Sequence, residues 1–143
     1  MSRTCTDEQL DMMASELWRR HRSAEAGPPV ITTLPDLDID DAYRIQLRGI
    51  AQRCAETNAR VVGHKIGATN PVIQQLFGID SPDFGHLLDD MVLGDGAVID
   101  VGQLISPRVE IEVAFLLGSP LGGPGVTVAD VLVATAAIAP VFE

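Results

Sequence analysis

Apolar positions change period along this chain, and each change marks a different element. Leu10, Met13, Ala14, Leu17, Trp18 and His21 recur three or four residues apart, which predicts an amphipathic first helix. Thr6-Asp7-Glu8-Gln9 has the form of a capping box, with Thr6 as cap and Gln9 three residues on. Gly27-Pro28-Pro29 breaks the helix and starts a loop that runs to Pro35. Asp38 or Asp40 can cap a second helix, in which Tyr43, Leu47, Ile50 and Cys54 form the stripe. Both helices are read as packing elements.

Beyond residue 58 the texture shortens. Arg60-Val61-Val62-Gly63-His64-Lys65-Ile66-Gly67 reads as a strand punctuated by glycines, and Asn70-Pro71 as the cap and first position of a short helix ending at Gly78. Asp80-Ser81-Pro82-Asp83-Phe84-Gly85 reads as a loop, and Gly94-Asp95-Gly96 as a turn between strands at 87–93 and 97–101. In the run 107–117, Val109, Ile111 and Val113 alternate with Glu110 and Glu112, the period of a strand. A Gly/Pro-rich loop follows at 118–125, and Thr127 opens a third helix over 128–137. There is no internal repeat.

Length and composition narrow the class. A chain of 143 residues, 46% of them hydrophobic, fits one domain with a real core. No apolar run reaches the roughly 18 residues of a membrane span, and the first residues lack the apolar centre of a secretory signal. Cys5 and Cys54 have neither metal nor disulfide spacing, as expected for a cytoplasmic protein. The net charge of -10 offers no basic footprint for nucleic acid. The chain stops on Ala139-Pro140-Val141-Phe142-Glu143, an apolar stretch that reads as a cut through a strand and so as part of a longer protein.

Glu110 and Glu112 carry the most chemistry. Side chains at i and i+2 of a strand share a face, so two carboxylates stand side by side in apolar surroundings. Either that face is solvated, or a hard divalent cation with oxygen ligands, Mg²⁺ or Mn²⁺, relieves the repulsion. Lys65 is either a strand-edge charge or a buried ammonium whose lowered pKa suits proton transfer. His64, its neighbour, faces the opposite way and reads as structural. Turn chemistry alone accounts for Asp83 and its loop. No phosphate loop, calcium hand or nucleophile elbow is present.

Four segments in order, Gly63-His64-Lys65-Ile66-Gly67, Ser81-Pro82-Asp83-Phe84-Gly85, Arg108-Val109-Glu110-Ile111-Glu112-Val113-Ala114-Phe115 and Pro140-Val141-Phe142-Glu143, resemble one family. It is that of the 2-keto-4-pentenoate (2-hydroxypenta-2,4-dienoate) hydratases and 4-oxalocrotonate decarboxylases, in the fumarylacetoacetate hydrolase superfamily. The resemblance implies that Glu110, Glu112 and Glu143 hold Mg²⁺ or Mn²⁺, that Lys65 is an acid/base and that Asp83 lines the same site. It implies an α+β fold: a helical N-terminal section, 1–57, packed on the first part of a mixed β-roll, 58–143, the roll being incomplete. The implied function is a lyase of aromatic compound catabolism: metal-dependent hydration of 2-hydroxypenta-2,4-dienoate to 4-hydroxy-2-oxopentanoate, in a cytoplasmic homo-oligomer that binds neither nucleic acid nor membrane. Two alternatives stand beside it: 4-oxalocrotonate decarboxylation, and a truncated, non-catalytic subunit.

Overall fold

The computed structural model describes residues 4–143, which fall into two compact units, one ending at Ile105 and one spanning Ser106–Glu143. The first unit begins with helix α1 (Asp7–Ser23). Both halves of its capping box form: Gln9 N–H donates to Thr6 Oγ1 and Thr6 N–H to Gln9 Oε1. A short helix α2 (Val30–Thr33) and a long helix α3 (Ile39–Thr57) follow, with Asp38 capping α3 through the Asp41 N–H.

The core lies between α1, the α2 region and α3. Leu10, Met13 and Ala14 of α1 meet Cys5, Leu34 and Ile45, with Val30 and Leu37 packed alongside. The α3 stripe expected from sequence is shifted. Ile45 is the buried aliphatic residue, whereas Leu47 is half exposed, and the other fully buried α3 side chain is Asp41. Asp41 accepts from Thr4 Oγ1 at 2.7 Å, from Cys5 N–H at 2.9 Å and from Arg44 at 2.6 Å, so the segment entering α1 is tied to α3 by a charge. The Thr4 hydroxyl, the Cys5 N–H and Arg44 hold its carboxyl well below the ordinary value, at about 2, against the opposing effect of burial. At the other end of α1, Trp18 Nε1 donates to Glu56 of α3 at 2.7 Å.

Strand β1 (Val61–Gly67) pairs antiparallel with β2 (Asp83–Leu88), and helix α4 (Pro71–Phe77) lies between them in sequence. Asn70 caps α4, Pro71 occupies its first turn, and Gly78 closes it with a positive φ of 68°. Three expectations fail here. Asp83, Phe84 and Gly85 are strand rather than loop; the strand expected at 87–93 stops at Leu88 and gives way to a 3-10 turn at Asp89–Met91; and residues 97–101 form no strand but lead into a 3-10 turn at Val101–Gln103.

In the second unit, β3 (Ile111–Leu117) pairs antiparallel with β4 (Thr135–Phe142), and α5 (Val128–Ala134), capped by Thr127, immediately precedes β4. The helix ends at Ala134, three residues before the expected limit. From Thr135 onward the backbone groups pair with β3 instead. One face of this ribbon carries Ile111, Val113, Phe115, Ile138 and Phe142, all more than half exposed. The architecture is therefore helices with small antiparallel sheets.

Candidate metal centre and proton-transfer hairpin

The β3–β4 register builds the first constellation. Glu110 N–H donates to the Glu143 carbonyl at 2.7 Å, and Glu143 N–H to the Glu110 carbonyl at 3.0 Å. Such a reciprocal pair places the two residues directly opposite each other, with side chains on the same face. Glu112, two residues along β3 and opposite Val141, shares that face. Three carboxylates thus converge, one oxygen from each lying within 4.8 Å of the others; Glu112 is half-buried, and Glu110 and Glu143 are exposed. Along the ribbon the face continues as Ala114 and Ala139.

This donor set suits a hard divalent cation. All three groups offer anionic oxygen, and the spread is comparable with the roughly 5 Å across a calcium shell, whose oxygens lie at about 2.3–2.6 Å. A smaller Mg²⁺, with oxygens at about 2.0–2.1 Å, needs the three side chains to close further about the ion. Soft or imidazole-preferring metals find no sulfur or nitrogen ligand in the cluster.

The β1–β2 hairpin builds the second constellation. Gly67 pairs with Asp83, and Lys65 with Gly85. Directly opposed residues share a face, so Lys65 and Asp83 are diagonal neighbours on a face otherwise made of Gly63, Gly67 and Gly85, with Leu87 at its end. The glycines matter physically. A Cβ on Gly67 would collide with Asp83 Oδ1, so the aspartate carboxylate lies directly over the Gly67 backbone. The opposite face carries His64, Ile66, Phe84 and His86, with the two imidazoles edge-on at 4.9 Å. His64 therefore points away from Lys65, as the strand period requires.

Two residues of this region were not singled out by sequence reasoning. Tyr43 and Gln46, on one face of α3, bond to the backbone of Phe84, the residue after Asp83. Tyr43 has a place in the helical stripe and Gln46 has none. No local pattern announces that a helix side chain will reach a strand about 40 residues later.

Elsewhere on α1, His21 stacks on Trp18, and burial together with the nearby Arg53 lowers its pKa. Cys5 is buried and Cys54 half-buried, both as free thiols. Among the described residues no helix is long and apolar enough to cross a membrane.

No family model matches the chain. Individual proteins do. It is 41% identical over 135 residues to a 2-hydroxypent-2,4-dienoate hydratase of Pseudomonas putida, covering 94% of this chain and 60% of that protein. It is 34% identical to a 4-oxalocrotonate decarboxylase of a Pseudomonas species, covering 100% of this chain and 54% of the relative. Among solved structures, the 4-oxalocrotonate decarboxylase from Pseudomonas putida G7, complexed with calcium and acetate, superposes with a TM-score of 0.93 at 30% identity, over 99% of this chain and 54% of that one. The same decarboxylase complexed with magnesium and adipate gives 0.91. The chain thus spans 60% or less of the length of these relatives.

Proposed function

We propose, for a chain that belongs to the 2-keto-4-pentenoate hydratase and 4-oxalocrotonate decarboxylase family, that it carries the metal-holding and proton-transfer residues of a hydratase acting on 2-hydroxypenta-2,4-dienoate. The observation that carries the reading is the carboxylate trio closed by the β3–β4 register. Glu110, Glu112 and Glu143 are the proposed ligands of a divalent cation, Mg²⁺ or Mn²⁺. When bound, that cation supplies Lewis-acid polarisation of a substrate's carboxylate and 2-oxo oxygens.

The reaction adds one water across a diene. Ketonisation moves the 2-hydroxyl proton to C5 and leaves a 2-oxo-3-enoate; water then adds at C4 while C3 takes a proton. Lys65 Nζ is the proposed proton carrier for the first step, because an ammonium on a half-buried, glycine-floored strand face can exchange a proton with a planar substrate. Asp83 Oδ1, held over Gly67, is the proposed acceptor that orients the proton-bearing partner beside Lys65. The helical section 1–57 and the β-rich section 58–143, as the first part of a mixed β-roll, complete the proposal. The exposed apolar face of the β3–β4 ribbon supports it, since a roll covers such a face.

The test is loss of dienoate absorbance in the presence of Mg²⁺ or Mn²⁺, with Glu110→Gln alongside. The expected result is cation-dependent turnover that the substitution abolishes; turnover unchanged by Glu110→Gln removes the assignment. The high structural similarity to a decarboxylase favours one second reading, release of CO₂ from 4-oxalocrotonate. Assaying both substrates with the same preparation separates the two.

A further inference from the structure

We propose that Tyr43 and Gln46 of α3 are positioning residues for Asp83, acting through the backbone of Phe84. The inference rests on the reading of Asp83 as a proton-transfer group. Phe84 directs both its backbone polar groups at α3: its N–H donates to Tyr43 Oη at 3.4 Å, and its carbonyl accepts from Gln46 Nε2 at 3.2 Å. The two rings add a lock of their own, stacked with centroids 4.5 Å apart and planes 13° from parallel. A strand residue held at N–H, carbonyl and ring has little freedom to twist. Its neighbour on the N-terminal side, joined through a planar peptide, inherits that constraint.

Gln46 extends the grip. With Nε2 committed to the Phe84 carbonyl, Oε1 accepts from His86 Nδ1 at 3.2 Å, so one side chain holds two β2 residues of the same face. His86 is in turn packed edge-on against His64 of β1. The Asp83 side chain lies on the other face of the hairpin, over Gly67, yet it also borders a shallow cavity of about 210 Å³ that Tyr43, Gln46 and Phe84 line with Ile39 and Ala42. Gly67 thus leaves room for the Asp83 carboxylate, while the α3 clamp holds the residue that follows it.

The experiment is a double-mutant cycle on the chain assayed for dienoate hydration. Gln46→Met keeps the side-chain length and removes both hydrogen bonds; Tyr43→Phe keeps the ring stack and removes only the hydroxyl. Gln46→Met should lower kcat about tenfold or more with KM nearly unchanged, the signature of a misplaced group rather than weaker binding. In an Asp83→Asn background the same substitution should cost less than about twofold, because the group it positions is already gone. Equal losses in both backgrounds overturn the proposal. Asp83→Asn turning over like the parent instead sinks the functional reading of Asp83.

A second measurement needs no activity. The carboxyl ¹³C resonance of Asp83, assigned by its loss in Asp83→Asn, should move in Gln46→Met and in Tyr43→Phe, and stay in place in Leu47→Ala, a change on an exposed face of α3. A resonance that Gln46→Met and Tyr43→Phe leave unmoved overturns the proposal whatever the assay gives.

Discussion

Glu112→Gln should change the stability of the β3–β4 ribbon in opposite directions with and without a divalent cation. The substitution removes one charge from the trio and leaves the shape of the side chain intact. Without cation, two unit charges at the 4.8 Å limit of the cluster repel by about 0.9 kcal/mol at the dielectric of water and about 3.5 kcal/mol at an effective dielectric of 20. Exposure of Glu110 and Glu143 favours the lower figure. Glu112 has two such neighbours, so the metal-free variant should be the more stable by about 1–2 kcal/mol. With cation at 100 times its dissociation constant, the parent gains about 2.7 kcal/mol. A variant that binds 100-fold more weakly gains only about 0.4 kcal/mol. The ranking then inverts, leaving Glu112→Gln less stable by up to about 1 kcal/mol. Hydrogen exchange at the ladder amides of Gly118 and Glu143 reads this equilibrium in the unit itself, with and without Mn²⁺. A variant that exchanges faster than the parent under both conditions would refute the electrostatic reasoning.

Two further outcomes concern the first unit. Leu10→Ala empties the centre of a core made of few buried side chains and should cost about 2–4 kcal/mol in urea unfolding followed by the fluorescence of Trp18, the single tryptophan; a loss under about 1 kcal/mol contradicts the packing. The Asp41 carboxyl, at about 2 in the folded state, contributes stability that is full above its ordinary 3.8 and is lost as pH falls from there through 2. Asp41→Asn should therefore flatten the acid slope of the urea midpoint across that window, and an unchanged slope would assign the acid sensitivity to other carboxylates.

What the sequence disclosed was mostly local. Thr6 with Gln9, Asn70 with Pro71, and Thr127 each announce a helix start through bonds that span three residues or fewer, and each forms. The alternation around Glu110 and Glu112 similarly fixes a shared face without reference to any other segment. Where long-range pairing competes with local preference, the local reading fails. Residues 135–137 are alanine-rich and favour helix, yet they pair with β3 because an antiparallel partner satisfies their backbone groups. Asp83 sits in a sequence dense with turn formers, yet it opens β2, because Gly67 across the hairpin leaves room for its carboxylate. Glu143 could be joined to the other two glutamates only by family resemblance, since nothing near residue 143 specifies what it lies opposite. The α3 clamp on Phe84 was illegible for the same reason.

The reciprocal bonds between Glu110 and Glu143 bear on how the ribbon finds its alignment. Much of β4 is alanine, and methyl groups of equal size discriminate poorly between one alignment and the next. A slip of one residue would set Phe142 opposite Glu110 and turn Glu143 to the far face, dispersing the three carboxylates. Of the observed alignment and its one-residue slips, only the observed one presents all three to one ion. A bound cation would then do more than serve chemistry: it would proofread strand alignment, rewarding the observed pairing over a slip of one residue.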